Sequence, residues 1–397
     1  TSLTFLSTEF QLQALDPVRY PEINPAGCGA PGRAACPWPV GADGYYRRAI
    51  RPDRTFGVLP FLALSRDLGA LGPRYRDVVV GLAVSAPDFY GAYLSENAPT
   101  AYHMIGGSFL VLATTGAVGW RLNRHVAAGA SLSYHFMRLS FSQKMSIIDA
   151  LTPLGAAPTS EARLGQQLLG DLRLDYAGID HGLGWSGAVL VSPTRWLALA
   201  FNYSGATPAR FAGDVTFRPL GAAVRASPEV LPAILESIDY KLPHRLLVEM
   251  PIPHSLQFGL AFKPTARVDL GVDFRLWLYN LYERQVITPG YDPQQPGQEP
   301  ISAADLTRDK RYGVSYEVGA GVMWRPFRRR SDLGLMAGAS YDHSPIPDET
   351  FTLDNPSLSL IQLGTGARWM VARRWRLMLG YMLLVYLERN VTNSETR

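Results

Sequence analysis

The stretch Arg267–Tyr279, R-V-D-L-G-V-D-F-R-L-W-L-Y, changes character at almost every residue. Val268, Leu270, Val272, Phe274, Leu276 and Leu278 fall on one parity, and Asp269, Asp273, Arg275 and Tyr279 on the other. A period of two describes a β-strand with one apolar and one charged face. The alternation recurs along most of the chain in segments of about ten or more residues, separated in turn by short turns and long loops. That pattern is the mark of an all-β transmembrane antiparallel β-barrel. On this reading the apolar parity meets membrane lipids and the polar parity faces the lumen.

Composition is compatible with such a barrel. A chain of 397 residues could fill two soluble domains, yet no apolar run approaches the roughly 20 residues of a membrane-spanning helix. Mean hydropathy is −0.01, as expected when inward polar residues offset outward apolar ones. The net charge of +4 is small, and many arginines sit in turns, Arg325, Arg328, Arg329, Arg330, Arg373 and Arg374 among them. No nucleic-acid patch results; the turns either meet anionic headgroups or are simply solvated. Cys28 and Cys36 are the two cysteines, close together in a loop rich in Gly, Pro and Ala. In an envelope protein they predict a disulfide. Without further Cys or His nearby they predict no metal site. None of the seven histidines has a recognisable catalytic or metal-ligand spacing, so neither an enzyme nor a cofactor is expected.

Residues 1–397 read as a single outer-membrane barrel of the fourteen-stranded type, with about thirteen strands in this chain. Predicted strands run over Ser2–Leu15, Thr55–Ser65, Tyr75–Ala86, Gly107–Leu122, His125–Met145, Leu168–Ser192, Trp196–Phe217, His244–Phe262, Arg267–Ile287, Asp309–Trp324, Leu333–Asp342, Ser357–Val371 and Trp375–Glu388. A long first extracellular loop, 16–53, carries the cysteine pair. Two further extracellular loops, 146–167 and 227–241, have apolar residues at helical spacing. Single-chain bacterial barrels carry an even number of strands, so a fourteenth is expected after Arg397. No signal-peptide pattern opens the sequence.

With the strands in order, the chain resembles the FadL family of outer-membrane channels for long-chain fatty acids and other hydrophobic compounds. The residues that carry the resemblance are Gly184-Trp185-Ser186-Gly187-Ala188 before the Pro193 turn, Pro253-His254-Ser255-Leu256-Gln257-Phe258-Gly259-Leu260-Ala261 before Lys263-Pro264, and Tyr341-Asp342-His343-Ser344-Pro345-Ile346-Pro347-Asp348. The resemblance covers roughly Tyr75 to Glu388. It implies a fourteen-stranded barrel plugged by an N-terminal hatch, an outer apolar groove between two loops and a lateral exit at a kink in the third strand. The family's hatch motif Asn-Pro-Ala is matched by Asn24-Pro25-Ala26, which here follows a strand instead of preceding one. It reads as a loop motif, with any hatch upstream of Thr1.

The candidate sites follow. Ile147, Ile148, Leu151 and Leu154 form one apolar loop stripe, and Val230, Leu231, Ile234, Leu235 and Ile238 another. Facing each other they would make a groove for an acyl chain or hydrocarbon, or else pack together as a lid. Asp171, Arg173, Asp175, Gln257, Asp269, Asp273, Arg275 and Glu317 are expected in the lumen, as networks bracing the wall or with Arg173 or Arg275 meeting a substrate carboxylate. Gly81 and Pro87 mark a possible lateral opening. The expected function is passive transport of hydrophobic small molecules across the bacterial outer membrane with lateral release. The alternatives are a non-transporting structural or assembly barrel serving partner proteins in that membrane and, more remotely, a barrel hydrolase. Expected partners are membrane lipids and a hydrophobic ligand, with no nucleic acid.

Overall fold

Alternating sequence becomes antiparallel ladder throughout the computed structural model, which describes residues 2–5, 11–15, 20, 23–24, 28–31, 33–53, 56–146, 148, 159–221, 244–290, 308–327, 333–352, 357–372 and 375–391. The strands among them are β1 (Ser2–Phe5), β2 (Phe56–Leu59), β3 (Phe61–Asp67), β4 (Val78–Tyr93), β5 (Gly106–Arg121), β6 (Val126–Met145), β7 (Leu172–Val191), β8 (Leu197–Ser204), β9 (Arg210–Pro219), β10 (Arg245–Glu249), β11 (Ser255–Thr265), β12 (Val268–Trp277), β13 (Arg284–Pro289), β14 (Arg308–Asp309), β15 (Ser315–Trp324), β16 (Leu333–Asp342), β17 (Leu360–Ala372) and β18 (Trp375–Tyr386). One helix, α1 (Ser160–Leu169), stands among them.

β3 to β18 form one 16-stranded sheet. Several of these strands are halves of one pass. β7 pairs with β8 along one half and with β9 along the other; β11 and β10 then pair with β8 and β9, and β12 and β13 with β11 and β10. β14 and β15 continue the series. β1 pairs with β2, which runs into β3 past Pro60. Fused in this way, the described residues make thirteen passes, matching the sequence expectation. Among the described residues no ladder joins β18 to β1 or β3, so the wall is not closed.

Cross-strand partners share a face. Through the register, Val272 stands with Leu260, Leu199 and Ala320, and Phe274 with Phe258, Phe201, Val318, Tyr341 and Ile361. These large apolar side chains are exposed, Val272 at 48% and Phe258 at 48%. Such a belt is unfavourable against water and stable against acyl chains. Aromatic side chains border it on both sides. Trp120, Trp196, Trp324 and Trp369 are exposed near the short turns. At the other border, Tyr134 stacks on His181, Tyr203 on His254 and Tyr316 on His343. Tyr316 and Trp324 bound the belt on β15, eight residues or about 27 Å apart along the strand. At a tilt of about 40° this spans roughly 20 Å, close to the apolar band of a bacterial barrel.

Some expected boundaries move. The first strand does not extend to Leu15: Gln13 bridges to Tyr45, and Tyr46 N–H donates to the Leu12 carbonyl at 2.9 Å. Residues 11–15 therefore belong to the loop, which is closed by the Cys28–Cys36 disulfide. Its Ile23, Trp38, Tyr46 and Ile50 pack with Leu94, Ala98 and Met104 from the β4–β5 connection, at the end away from the short turns. The Asn24 amide brackets Trp38, donating to its carbonyl at 2.8 Å and accepting from its N–H at 3.0 Å. Tyr46 is fully buried there, and burial pushes its phenol pKa up while the Leu15 N–H opposes that shift.

Val272 lies midway across the belt, so Val272→Arg is expected to destabilise the barrel by about 2–4 kcal/mol, whereas Gln257→Arg, on the inward parity, changes stability by less than about 1 kcal/mol. Urea unfolding in lipid vesicles, followed by tryptophan emission, measures both.

Candidate functional site

The two faces of the wall exchange character partway along the strands. On β7 the outward parity runs Trp185, Leu183, His181, Ile179 and Ala177 and then becomes Asp175 and Arg173. The opposite parity starts with Ser186, Gly184 and Gly182 and ends with Tyr176, Leu174 and Leu172. On β6 the outward Leu132, Tyr134 and Phe136 give way to Arg138, while inward Ser131, Ser133 and His135 give way to Met137 and Leu139. No bulge interrupts the β6–β7 register, so the chemistry changes and the geometry does not.

Beyond this level the interior is apolar. Phe109, Val111, Met137, Leu139, Leu174, Tyr176, Ala209, Phe211, Val215, Leu246 and Val248 form one buried cluster. Phe109 on β5 meets Phe211 on β9 edge-to-face at 6.0 Å, although β6 and β7 separate the two strands in the sheet. The sheet is curled enough there for its inner side chains to touch. Gly213 permits the tight β7–β9 approach, since a Cβ at that position would lie 2.0 Å from the Ala177 carbonyl oxygen. Tyr176 lies over Gly178, its hydroxyl donating to the Phe211 carbonyl at 2.8 Å.

Outside the same half, the wall is covered by charge pairs. Arg173 binds Asp175 at 2.9 Å and Glu96 at 3.0 Å, Arg218 binds Asp175 at 3.0 Å and Arg210 binds Glu249 at 2.7 Å. Arg245 lies 3.5 Å from Asp214, and Arg284 lies 3.3 Å from Asp309. Ionised groups belong in water, so this half of the barrel stands clear of the acyl belt. Three passes break at the exchange: Gly205 to Ala209 between β8 and β9, Met250 to His254 between β10 and β11, and a 3-10 turn at Tyr279–Leu281 between β12 and β13. Thr207 and Ile252 still bridge across the first two breaks.

The predicted lumen set therefore divides. Gln257, Asp269, Asp273, Arg275 and Glu317 share the inward face of the belt half, Gln257, Arg275 and Glu317 being successive cross-strand partners. Asp269 is clamped by the turn residue Arg325 at 2.5 Å, and this hydrogen bond raises the Arg325 pKa. Arg173 and Asp175 are not in the lumen. They share a face with Leu183 and Trp185, because a strand leaving the bilayer turns its charges outward to water. Asp171 precedes β7 and is also outside the lumen. It is fully buried and accepts from the Tyr102 hydroxyl and, at 3.0 Å, from Gln166 on α1.

Of the loop stripes, Ile148 is buried at 2% exposure. Ile147, Leu151, Leu154, Val230, Leu231, Ile234, Leu235 and Ile238 lie outside the described residues, and the two stripes are not brought together there. Gly81 sits in regular pairing with Ser65 and Ala117. Pro87 does not: between Ser85 and Asp88 the β4–β5 register shifts by one residue, leaving Ala86 and Pro87 opposite Leu112. Such a bulge moves all later side chains to the other parity, and it directs Asp88, paired with Val111, to the interior. Sequence reading had passed over Asp88, His135 and Asp342, all inward by register. A proline inside an alternating strand was the available signal for Asp88.

No family model matches this sequence, and no curated protein matches it. Solved structures do. The Pseudomonas aeruginosa FadL homologue superposes with a TM-score of 0.64 at 12% identity, over 88% of this chain and 72% of that one. The fold is that of the FadL-type barrels. The Pseudomonas putida toluene transporter TodX matches with a TM-score of 0.55 at 15% identity, over 84% of this chain and 78% of that one. The CymD monoaromatic hydrocarbon channel matches with a TM-score of 0.55 at 13% identity, over 96% and 82%. These neighbours of the FadL-like barrel are channels and transporters rather than enzymes, and identities this low carry the fold alone.

Phe211→Ala, in the buried cluster, is expected to cost about 3–5 kcal/mol. Phe201→Ala, on the acyl belt, should cost less because lipid refills the space. Paired unfolding curves in vesicles compare the two.

Proposed function

We propose that this protein is a passive channel for hydrophobic small molecules in the bacterial outer membrane, releasing its cargo sideways into the bilayer. The observation that carries this is the β4 bulge. At Ala86–Pro87 a spanning strand loses its regular ladder, and the proline supplies no backbone donor there. The break lies beside the apolar inner wall, since Asp88 and Tyr90 immediately beyond it face Val111 and Phe109. An apolar solute leaving at this point moves from an apolar interior to acyl chains. Passage into the periplasm would instead expose it to water, at about 25 cal/mol for each Å² of apolar surface.

Capture is assigned to the long-loop end. There the 146–167 and 227–241 loops would present their apolar residues, with Ile148 already buried against the structure. The 16–53 loop, stapled by Cys28–Cys36, would cover the neighbouring sector. In this account the loops are extracellular, the arginine-rich turns are periplasmic, and the partners are membrane lipids and the cargo.

A second reading, a barrel kept as a scaffold for outer-membrane partner proteins, draws support from the packed interior in which Phe109 meets Phe211. Uptake separates the two. A bacterial host lacking its own hydrophobic-compound channel, expressing the protein, should accumulate labelled alkane or alkylbenzene well above the empty-vector control. Deleting Pro87, which restores the β4–β5 register, should lower that rate at least tenfold while the barrel still folds, as read by heat-modifiable migration on gels. Uptake equal to the control would leave the scaffold as the function.

A further inference from the structure

The inward side chains at the level of the bulge bear on the charge of the cargo. Arg275 lies opposite Glu317 across the β12–β15 ladder, and Glu317 lies opposite Asp342 across β15–β16. Glu317 Oε1 accepts from Ser340 Oγ at 3.0 Å and from Gln362 Nε2 at 3.3 Å, which fixes its carboxylate on the inner wall. Asp273, one inward position from Arg275, sits against Gly319, within 3.4 Å of where a Cβ would stand. From the other side, the bulge turns Asp88 inward, within electrostatic range of both His135 and Arg275. Asp342 is in turn within range of Glu317 and Arg275.

Four carboxylates thus ring this level: Asp88, Asp273, Glu317 and Asp342. Even with His135 counted as a cation beside Arg275, acid is in excess. Arg275 is shared among these acids, and its guanidinium stacks over Trp277 at 5.2 Å. The wall above supplies no cation to the interior, because the inward residues of the buried cluster are apolar and Arg173, Arg210, Arg218, Arg245 and Arg284 stand on its outer face in charge pairs. The nearest other inward base is Arg368, lower in the barrel on the far side of Asp269.

We propose that this acidic belt makes the channel selective for uncharged hydrophobic molecules and excludes those ending in a carboxylate, long-chain fatty acids included. A charge of one sign lining a low-dielectric passage focuses its field on whatever passes through. A carboxylate arriving there would meet like charge after giving up its own hydration. A neutral hydrocarbon, alkylbenzene or alcohol loses nothing to the ring. The selectivity is a property of the uptake function proposed above and depends on it.

The test compares two probes of equal chain length, labelled 1-dodecanol and dodecanoate, at pH 8 in the expressing host. The intact chain should take up dodecanol at least tenfold faster than dodecanoate. The double substitution Glu317→Gln with Asp342→Asn should raise dodecanoate uptake several-fold and leave dodecanol unchanged, and Asp88→Asn should act in the same direction. Each variant is checked for heat-modifiable migration, and Arg275→Gln serves as the opposing variant. Equal or faster uptake of dodecanoate by the intact chain would overturn the proposal. So would a dodecanoate rate that collapses in Arg275→Gln, since Arg275 would then be a carboxylate anchor, or one that ignores the acid substitutions. Uptake of neither probe would overturn the channel function itself and this selectivity with it.

Discussion

Acyl chains cannot solvate an ion or pair with a backbone amide, and the rest of the architecture follows from that constraint. Each pass satisfies its amides in the ladder and turns Leu, Val and Phe toward the lipid. The same strands extend past the bilayer, where the solvent outside becomes water, and so the outward parity must become charged. Leu183 and Asp175 sit on one face of one strand, eight residues apart, in two different solvents. Aromatic side chains mark the boundary. Tyr134 with His181 and Tyr203 with His254 each present an apolar ring and share a hydrogen bond, at 2.6 and 2.7 Å, which suits the headgroup layer.

The exchange also determines what the interior can do. Within the acyl belt the inner face is free to be polar, and it carries Gln257, Arg275, Glu317 and Asp342. Above the belt the inner face becomes the only place for apolar side chains, so Phe109, Phe211 and Val248 pack as they would in a soluble β-barrel. Capture of an apolar solute is favoured where the inner wall is greasy, and discrimination by charge is possible where it is polar. The β4 bulge lies where these two zones meet, and it both interrupts the wall and brings Asp88 inside.

Much of this was legible in the sequence. Period-two alternation gave thirteen passes, the short turns gave their pairing, and the two cysteines in a small loop gave the disulfide. The failures share one cause. Leu172, Leu174 and Tyr176 alternate with Asp171, Arg173 and Asp175 in a pattern that looks the same whichever solvent lies outside, so parity alone placed the charges in the lumen. Strand length was the missing clue: β6 and β7 have 20 residues each, about twice what a bilayer pass requires. Pro208, Pro251 and Pro253 likewise marked the breaks that the predicted strands ran through. Asp88 was hidden because a single extra residue reverses parity, and nothing local in the sequence counts it.

The central claim is the exchange of solvent along one outer face, and spin-label accessibility measures it most directly. Single nitroxides at Leu183→Cys, Ile179→Cys, Ala177→Cys and Asp175→Cys, in the protein reconstituted in lipid, report collision rates with oxygen, which concentrates in acyl chains, and with a water-soluble nickel chelate. The account predicts high oxygen and low nickel accessibility at position 183, crossing over between 179 and 175 to nickel-accessible at 175. Uniform oxygen accessibility along all four positions, or nickel accessibility at 183, would contradict it.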